Sequence, residues 1–161
     1  EGAFTQGVTL SPRFLFVVAE KPKTPLGLPA GKLAIVSSRS PNEKLPWNNL
    51  PSVDGVVESE FIRPLASGET LVPFKLLPLQ KAVLPCSARS PLASSDEIEV
   101  YPGLNQWWRQ AEKIWSKHRS NERLSLSEQL DYQSKLTKQL PVPQLRVVYN
   151  ASGMHLCAPT H

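Results

Sequence analysis

Little in this sequence of 161 residues could serve as a reagent for catalysis: it holds two cysteines, three histidines and one methionine. Two cysteines are too few for a disulfide scaffold, and Cys86 and Cys157 show no metal-ligand spacing. Both sit among apolar residues and read as buried free thiols, which suits a reducing cytoplasm. No apolar run approaches the roughly eighteen residues of a membrane-spanning helix, so no membrane partner is expected. No signal peptide is expected. A glycine-rich phosphate loop, HExxH, CxxC and a G-x-S-x-G elbow are all missing. His118 closes a predicted helix, where a cation complements the dipole. His155 falls in a predicted strand beside Met154, and His161 is the last residue. Glu58 and Glu60 share one face of a predicted strand and read as a solvated face, not an acid–base pair. The chain by itself is therefore expected not to be an enzyme.

What is plentiful is proline, with sixteen residues, about twice the usual share. That abundance calls for short elements and ordered loops rather than long helices. The composition is otherwise that of a globular protein, 40% hydrophobic and 20% charged with a mean hydropathy of −0.25, long enough for one domain with a real core. A net charge of +4 and a pI near 9.2 are compatible with a polyanionic partner. The first residue is not methionine, and the chain is expected to be a piece of something longer.

Apolar residues two apart from Val8 to Val18 predict a first strand, broken at Pro12. KLAIVSS (32–38) and VVESEFIRPL (56–65) predict two more. A turn at Ser67-Gly68, extended TLVPFKLL and a strand KAVLPC follow. SARSPLASSDEIEVYPG (87–103) reads as a small-residue linker. Leu104, Trp107, Trp108, Ala111, Trp115 and His118 then recur at helical spacing. Either Trp107 or Trp108 is expected to join Trp115 in the core, leaving the other to the sheet, a partner or solvent. Ser125 and Glu128 form a capping box for a second helix carrying Leu126, Leu130, Leu136 and Leu140, stopped by Pro141 and Pro143. LRVVYNASGMHLCAP (145–159) predicts a terminal hairpin. The expected frame is α+β: a small curved or barrel-like, mainly antiparallel sheet with two inserted helices. Its parts are a β-rich stretch (1–86), a linker (87–103), a helical insertion (104–140) and the hairpin.

Two patterns carry functional information. Trp47 lies in a loop beside Lys44 and near Arg39, an aromatic among cations that suits stacking and phosphate contact. Arg109, Lys113 and Lys117 fall at i, i+4 and i+8, clear of the apolar stripe, and Arg119 and Arg123 extend the charge. Such a track is either a solvated helix face or a path for DNA backbone.

The pieces EKLPW, VVESEFIRPLASGETLVPFKLLPLQKAVLP, YPGLNQWWRQAEKIWSKHRSNERLSLSEQLDYQSKL and LRVVYNASGMHLCAP, in this order, resemble a region of large bacterial adenine-specific DNA methyltransferases of restriction-modification and phage-defence systems. In that family the region lies C-terminal to the catalytic domain, within or beside the target-recognition part. A more distant likeness links Arg63-Pro64-Leu65 with Gly68, the strand ending Leu84-Pro85, and Pro102-Gly103-Leu104 through Arg119 to target-recognition segments. Those carry Arg-Asp-Ile after the glycine, whereas this chain has Glu69-Thr70-Leu71, so any contact made by that arginine or aspartate does not carry over. An N-P-P-Y-type motif and a cofactor loop are missing from the sequence. The resemblance implies a non-catalytic DNA-recognition or DNA-clamping segment. S-adenosylmethionine is expected in the parent's catalytic domain and no cofactor in this chain. Double-stranded DNA and the parent's own methyltransferase domain are the expected partners. Arg39, Lys44, Arg63, Lys75, Arg119 and Arg123 are the expected phosphate or base contacts, with Trp47 as a stacking or wedge residue. The alternative is a structural or interaction domain that buttresses the catalytic core or docks another subunit.

Overall fold

Phe14, Leu15 and Phe16 are all fully buried, which a strand with its alternating side chains does not allow on a one-sided sheet. The chain instead makes a 3-10 turn over Arg13–Leu15, and the first strand, β1, is only Val17–Glu20. The computed structural model describes residues 5–22, 27–72, 75–87, 90–91, 94–120, 123–144 and 146–149.

Around β1 the sheet is built from β2 (Lys32–Ser37), β3 (Asp54–Glu58), β4 (Ile62–Leu65) and β7 (Gln80–Val83), in the order β3-β2-β1-β7-β4. All its pairings are antiparallel. The α+β expectation with a mainly antiparallel sheet holds. Among the described residues the sheet does not close into a barrel. Pro64 sits on the edge strand β4, where its missing N–H costs no inner ladder bond. The predicted strand 56–65 is split by a 3-10 turn at Ser59–Phe61, with Val57 and Phe61 both in the core.

The proline-rich stretch after β4 is a small hairpin of its own. β5 (Leu71–Val72) pairs with β6 (Lys75–Leu76), so the extended TLVPFKLL folds back on itself. Its preceding turn is closed by Thr70, buried, whose hydroxyl donates to the Ser67 carbonyl at 2.9 Å. Glu69 receives both terminal nitrogens of Arg13, at 2.8 and 2.9 Å, and the Gln80 amide at 3.0 Å. The Arg13 guanidinium holds the Glu69 carboxyl below its ordinary range.

The helices depart from expectation in detail. The predicted linker contains a short helix, α1 (Ser95–Glu99), capped by Ser94 and anchored by buried Ile98. The long helix α2 is Pro102–His118, with proline in its first turn. Its tryptophans do not divide between core and surface: Trp107, Trp108 and Trp115 are all buried. Adjacent indoles fit inside because α2 is covered on two sides. Trp107 donates to the Leu15 carbonyl at 3.1 Å, and Trp108 to the Ser127 hydroxyl at 3.1 Å. The capping box at Ser125 and Glu128 forms, but the helix it starts, α3, is only Leu126–Leu130. Asp131 ends it by accepting the N–H groups of Leu136 and Thr137, both at 2.9 Å, and Gln133 and Ser134 turn left-handed. Leu126, Leu130 and Leu136 are buried all the same. Most of the predicted terminal hairpin, with His155, Cys157 and His161, lies outside the described residues, as does Pro73. Cys86 is a buried free thiol, pushed up in pKa by burial. Among the described residues no helix is long and apolar enough to cross a membrane.

The start of α2 is welded to β3. A Cβ placed on Gly103 would lie 2.4 Å from the Val56 carbonyl oxygen and 3.0 Å from the Val57 Cα. The N–H groups of Gly103 and Leu104 donate to the two oxygens of Glu58 at 3.0 and 2.8 Å, and Lys32 pairs with the same carboxylate at 3.1 Å. Glu58 is thus an anion at a helix N-terminus rather than part of a solvated strand face. Burial works against its charge, but its own backbone amide, the Gly103 and Leu104 amides and Lys32 together win, leaving its pKa below the ordinary 4.5.

Two outcomes follow for stability. Gly103→Ala forces α2 away from β3 and is expected to cost roughly 1–3 kcal/mol in urea unfolding. Because the Glu58 pKa is lower in the folded chain, its contribution is complete above 4.5 and lost as pH falls through the folded value. Glu58→Gln should be less stable at neutral pH and should lose less stability than the parent below pH 4.5.

Candidate nucleic-acid interface

The seven residues expected to touch DNA divide into two groups. Arg39, Arg63 and Arg119 are half-buried and donate to backbone carbonyls of the chain itself. Arg39 donates to the carbonyls of Trp47, at 2.8 Å, and Leu50, reaches Glu43 at 3.4 Å, and lies 4.3 Å from the Phe14 ring centroid. It holds the 39–52 loop closed, combining carbonyl contacts with cation–π contact. Arg63 donates to the Cys86 carbonyl at 3.0 Å, and its Nε is buried without a partner. Arg119 donates to the Leu124 carbonyl at 2.6 Å, again with a buried, unpaired Nε. The same carbonyl accepts the Trp115 indole at 3.0 Å, so the loop between α2 and α3 is fixed by two donors.

Lys44, Lys75 and Arg123 are exposed. Lys75 stands on the β5–β6 hairpin and Arg63 on β4, and neither lines the cleft described next. On α2, Arg109, Lys113 and Lys117 are all exposed. Arg109 is bridged to Glu99 at 2.7 Å, whereas Lys113 and Lys117 make no side-chain hydrogen bond or ion pair among the described residues. Between residues 109 and 123 the sequence sets five lysines and arginines against two glutamates, so this end of α2 is electropositive.

Trp47 follows Pro46 in a 3-10 turn, Trp47–Asn49, and remains half-exposed. Its ring stacks on Trp115 with centroids 5.7 Å apart and planes 14° from parallel. Phe14 lies 6.4 Å away and the His118 imidazole meets it edge-on at 6.1 Å and 70°. Beside this stack is a cleft of about 360 Å³. Leu45, 70% exposed, and Pro46 form one wall. His118, Ser120 and Leu124 come from the end of α2 and its following loop, Gln129 from α3, and Ser11 from the N-terminal segment. Of the expected site residues, only Trp47 lines this cleft, and Arg119 fixes one of its walls through Leu124.

Ser11, His118 and Gln129 belong to the cleft but not to the set expected from sequence. His118 had a local signal, since it lies three residues after Trp115 on one side of the helix. Ser11 and Gln129 had none, because tertiary packing alone brings them to Trp47. Compared with family models, curated proteins and solved structures, the chain matches none.

The role of Arg39 can be checked directly. Arg39→Lys retains the charge but lacks the planar fork that reaches two carbonyls at once. Unfolding in urea is expected to show a loss of roughly 1–3 kcal/mol for this variant, and a comparable or larger loss for Arg39→Ala.

Proposed function

We propose that this chain is a non-catalytic DNA-clamping or DNA-recognition segment of an adenine-specific, S-adenosylmethionine-dependent DNA methyltransferase. The observation that carries the DNA part is the outer face of α2. There Lys113 and Lys117 are exposed and unpartnered one turn apart, at the electropositive end that also borders the Trp47 cleft. Unpaired lysines along a rigid helix can meet successive phosphates without first breaking internal ion pairs. The methyltransferase part rests on the sequence resemblance. In this reading the cofactor and the chemistry belong to a catalytic domain outside this chain, and the protein works in the cytoplasm.

The contact set changes with the geometry. Lys113, Lys117, Lys44 and Arg123 become the phosphate contacts, with Trp47 beside them. Arg39, Arg63 and Arg119 become structural, because a guanidinium committed to backbone carbonyls leaves an unsatisfied acceptor when it turns outward. That same commitment of three arginines favours the second reading, a domain that buttresses the catalytic core or docks another subunit, with exposed Leu45 and Pro46 as the contact.

Duplex binding by the full chain at several salt concentrations separates the two. The double change Lys113→Ala with Lys117→Ala is expected to weaken binding on the order of tenfold at low salt and to reduce the salt slope by about two. An unaltered affinity and slope sinks the DNA reading. Cross-links from Leu45 to another protein, indifferent to added DNA, would establish the second one.

A further inference from the structure

Trp47 differs from the other three tryptophans in its hydrogen bonding. Trp107, Trp108 and Trp115 donate their indole N–H groups internally, at 3.1, 3.1 and 3.0 Å. The Trp47 indole donates to nothing among the described residues, although the ring is clamped by Trp115, Phe14 and His118. A partly buried aromatic ring is thus held at the cleft with its indole N–H unpaired among the described residues.

The cleft's chemistry narrows what it can take. Its volume of about 360 Å³ lies at the small end of the range for small-molecule sites, too small for a duplex or a folded partner. Trp47 and Trp115, stacked on one another, both line it, and so does Gln129, whose amide carries a donor and an acceptor. Ser11 and Ser120 add two polar residues to the lining. His118 closes one side, and Lys117 precedes it on the electropositive end of α2. A flat, hydrogen-bonding ring attached to an anionic backbone matches the aromatic and polar lining and the nearby charge together.

We propose that this cleft holds one unstacked base of DNA, with Trp47 as stacking platform and Gln129 meeting the base edge. The base must be unpaired, since in a duplex both its faces are covered by neighbours. This inference rests on the DNA reading above and specifies how DNA would be held: phosphates on Lys113 and Lys117, and one displaced base on Trp47.

The test uses the full chain and a duplex carrying 2-aminopurine as a single unpaired bulge, beside the same duplex fully paired. The bulged duplex is expected to bind roughly tenfold tighter, with the fluorescence of the 2-aminopurine quenched on binding. Trp47→Leu keeps apolar bulk against Trp115 without a stacking face, and Gln129→Ala removes the edge contact. Each should bring the bulged duplex down to the affinity of the paired one. Should Trp47→Leu fail to fold, as judged by circular dichroism, Gln129→Ala alone decides. Equal binding of bulged and paired duplexes by the parent chain overturns the base site and leaves the DNA reading standing. A bulge preference that survives both substitutions also overturns it, and binding to neither duplex overturns both readings.

Discussion

The rest of the structure depends on the contact where α2 meets β3. Gly103 lets the helix approach until its backbone touches Val56 and Val57, and Glu58 receives the first free amides of the helix. That weld sets the axis of α2 over the sheet, so that Leu104, Trp107 and Ala111 enter the core together. It also decides where the far end of the helix arrives. At that far end Trp115 and His118 meet Trp47, beside the cleft. A carboxylate serves well here because charge, helix dipole and two hydrogen bonds act at one point.

The same economy recurs across the molecule. A chain with so many prolines and short elements leaves many backbone groups outside regular ladders, and each must find a partner when buried. Side chains supply them. Glu43 accepts the Phe14 N–H at 2.9 Å, Glu112 accepts that of Leu126 at 2.8 Å, and Asp131 caps the segment after α3. On the donor side Arg39, Arg63 and Arg119 satisfy carbonyls in loops. Many of the chain's charged residues are therefore structural, and the cations left free at the surface become the informative ones.

This division alters how the surface is read. Arginine is the residue best suited to phosphate, and here Arg39, Arg63 and Arg119 are half-buried and donate to loop carbonyls while lysines occupy the outer face of α2. Lysines act as point charges, whose attraction to an anion is long-ranged and tolerant of its geometry. The Trp47 cleft adds an element of shape. Its aromatic lining comes from two distant parts of the chain, the loop before β3 and the end of α2, and depends on both staying in register.

By itself the sequence determined the local features whose causes are local. The α+β class, β2, the span and apolar stripe of α2, the Ser125–Glu128 capping box and the buried Cys86 were all legible from periodicity and short-range chemistry. The exposed track of Arg109, Lys113 and Lys117 was legible for the same reason, since helical spacing alone puts them on one side. Tertiary structure alone decided what depends on partners far along the chain. Period-two spacing from Val8 predicted a strand where Phe14, Leu15 and Phe16 are instead enclosed from all sides. Glu58 looked like a solvated strand residue until α2 arrived to be capped. Trp108 could not be assigned to the core before α3 was known to cover it. Arg39 and Trp47, neighbours in sequence, parted company: one is consumed by loop carbonyls and the other is left open on a stack. Local pattern reports which side of its own element a residue faces, and only packing reports what stands opposite.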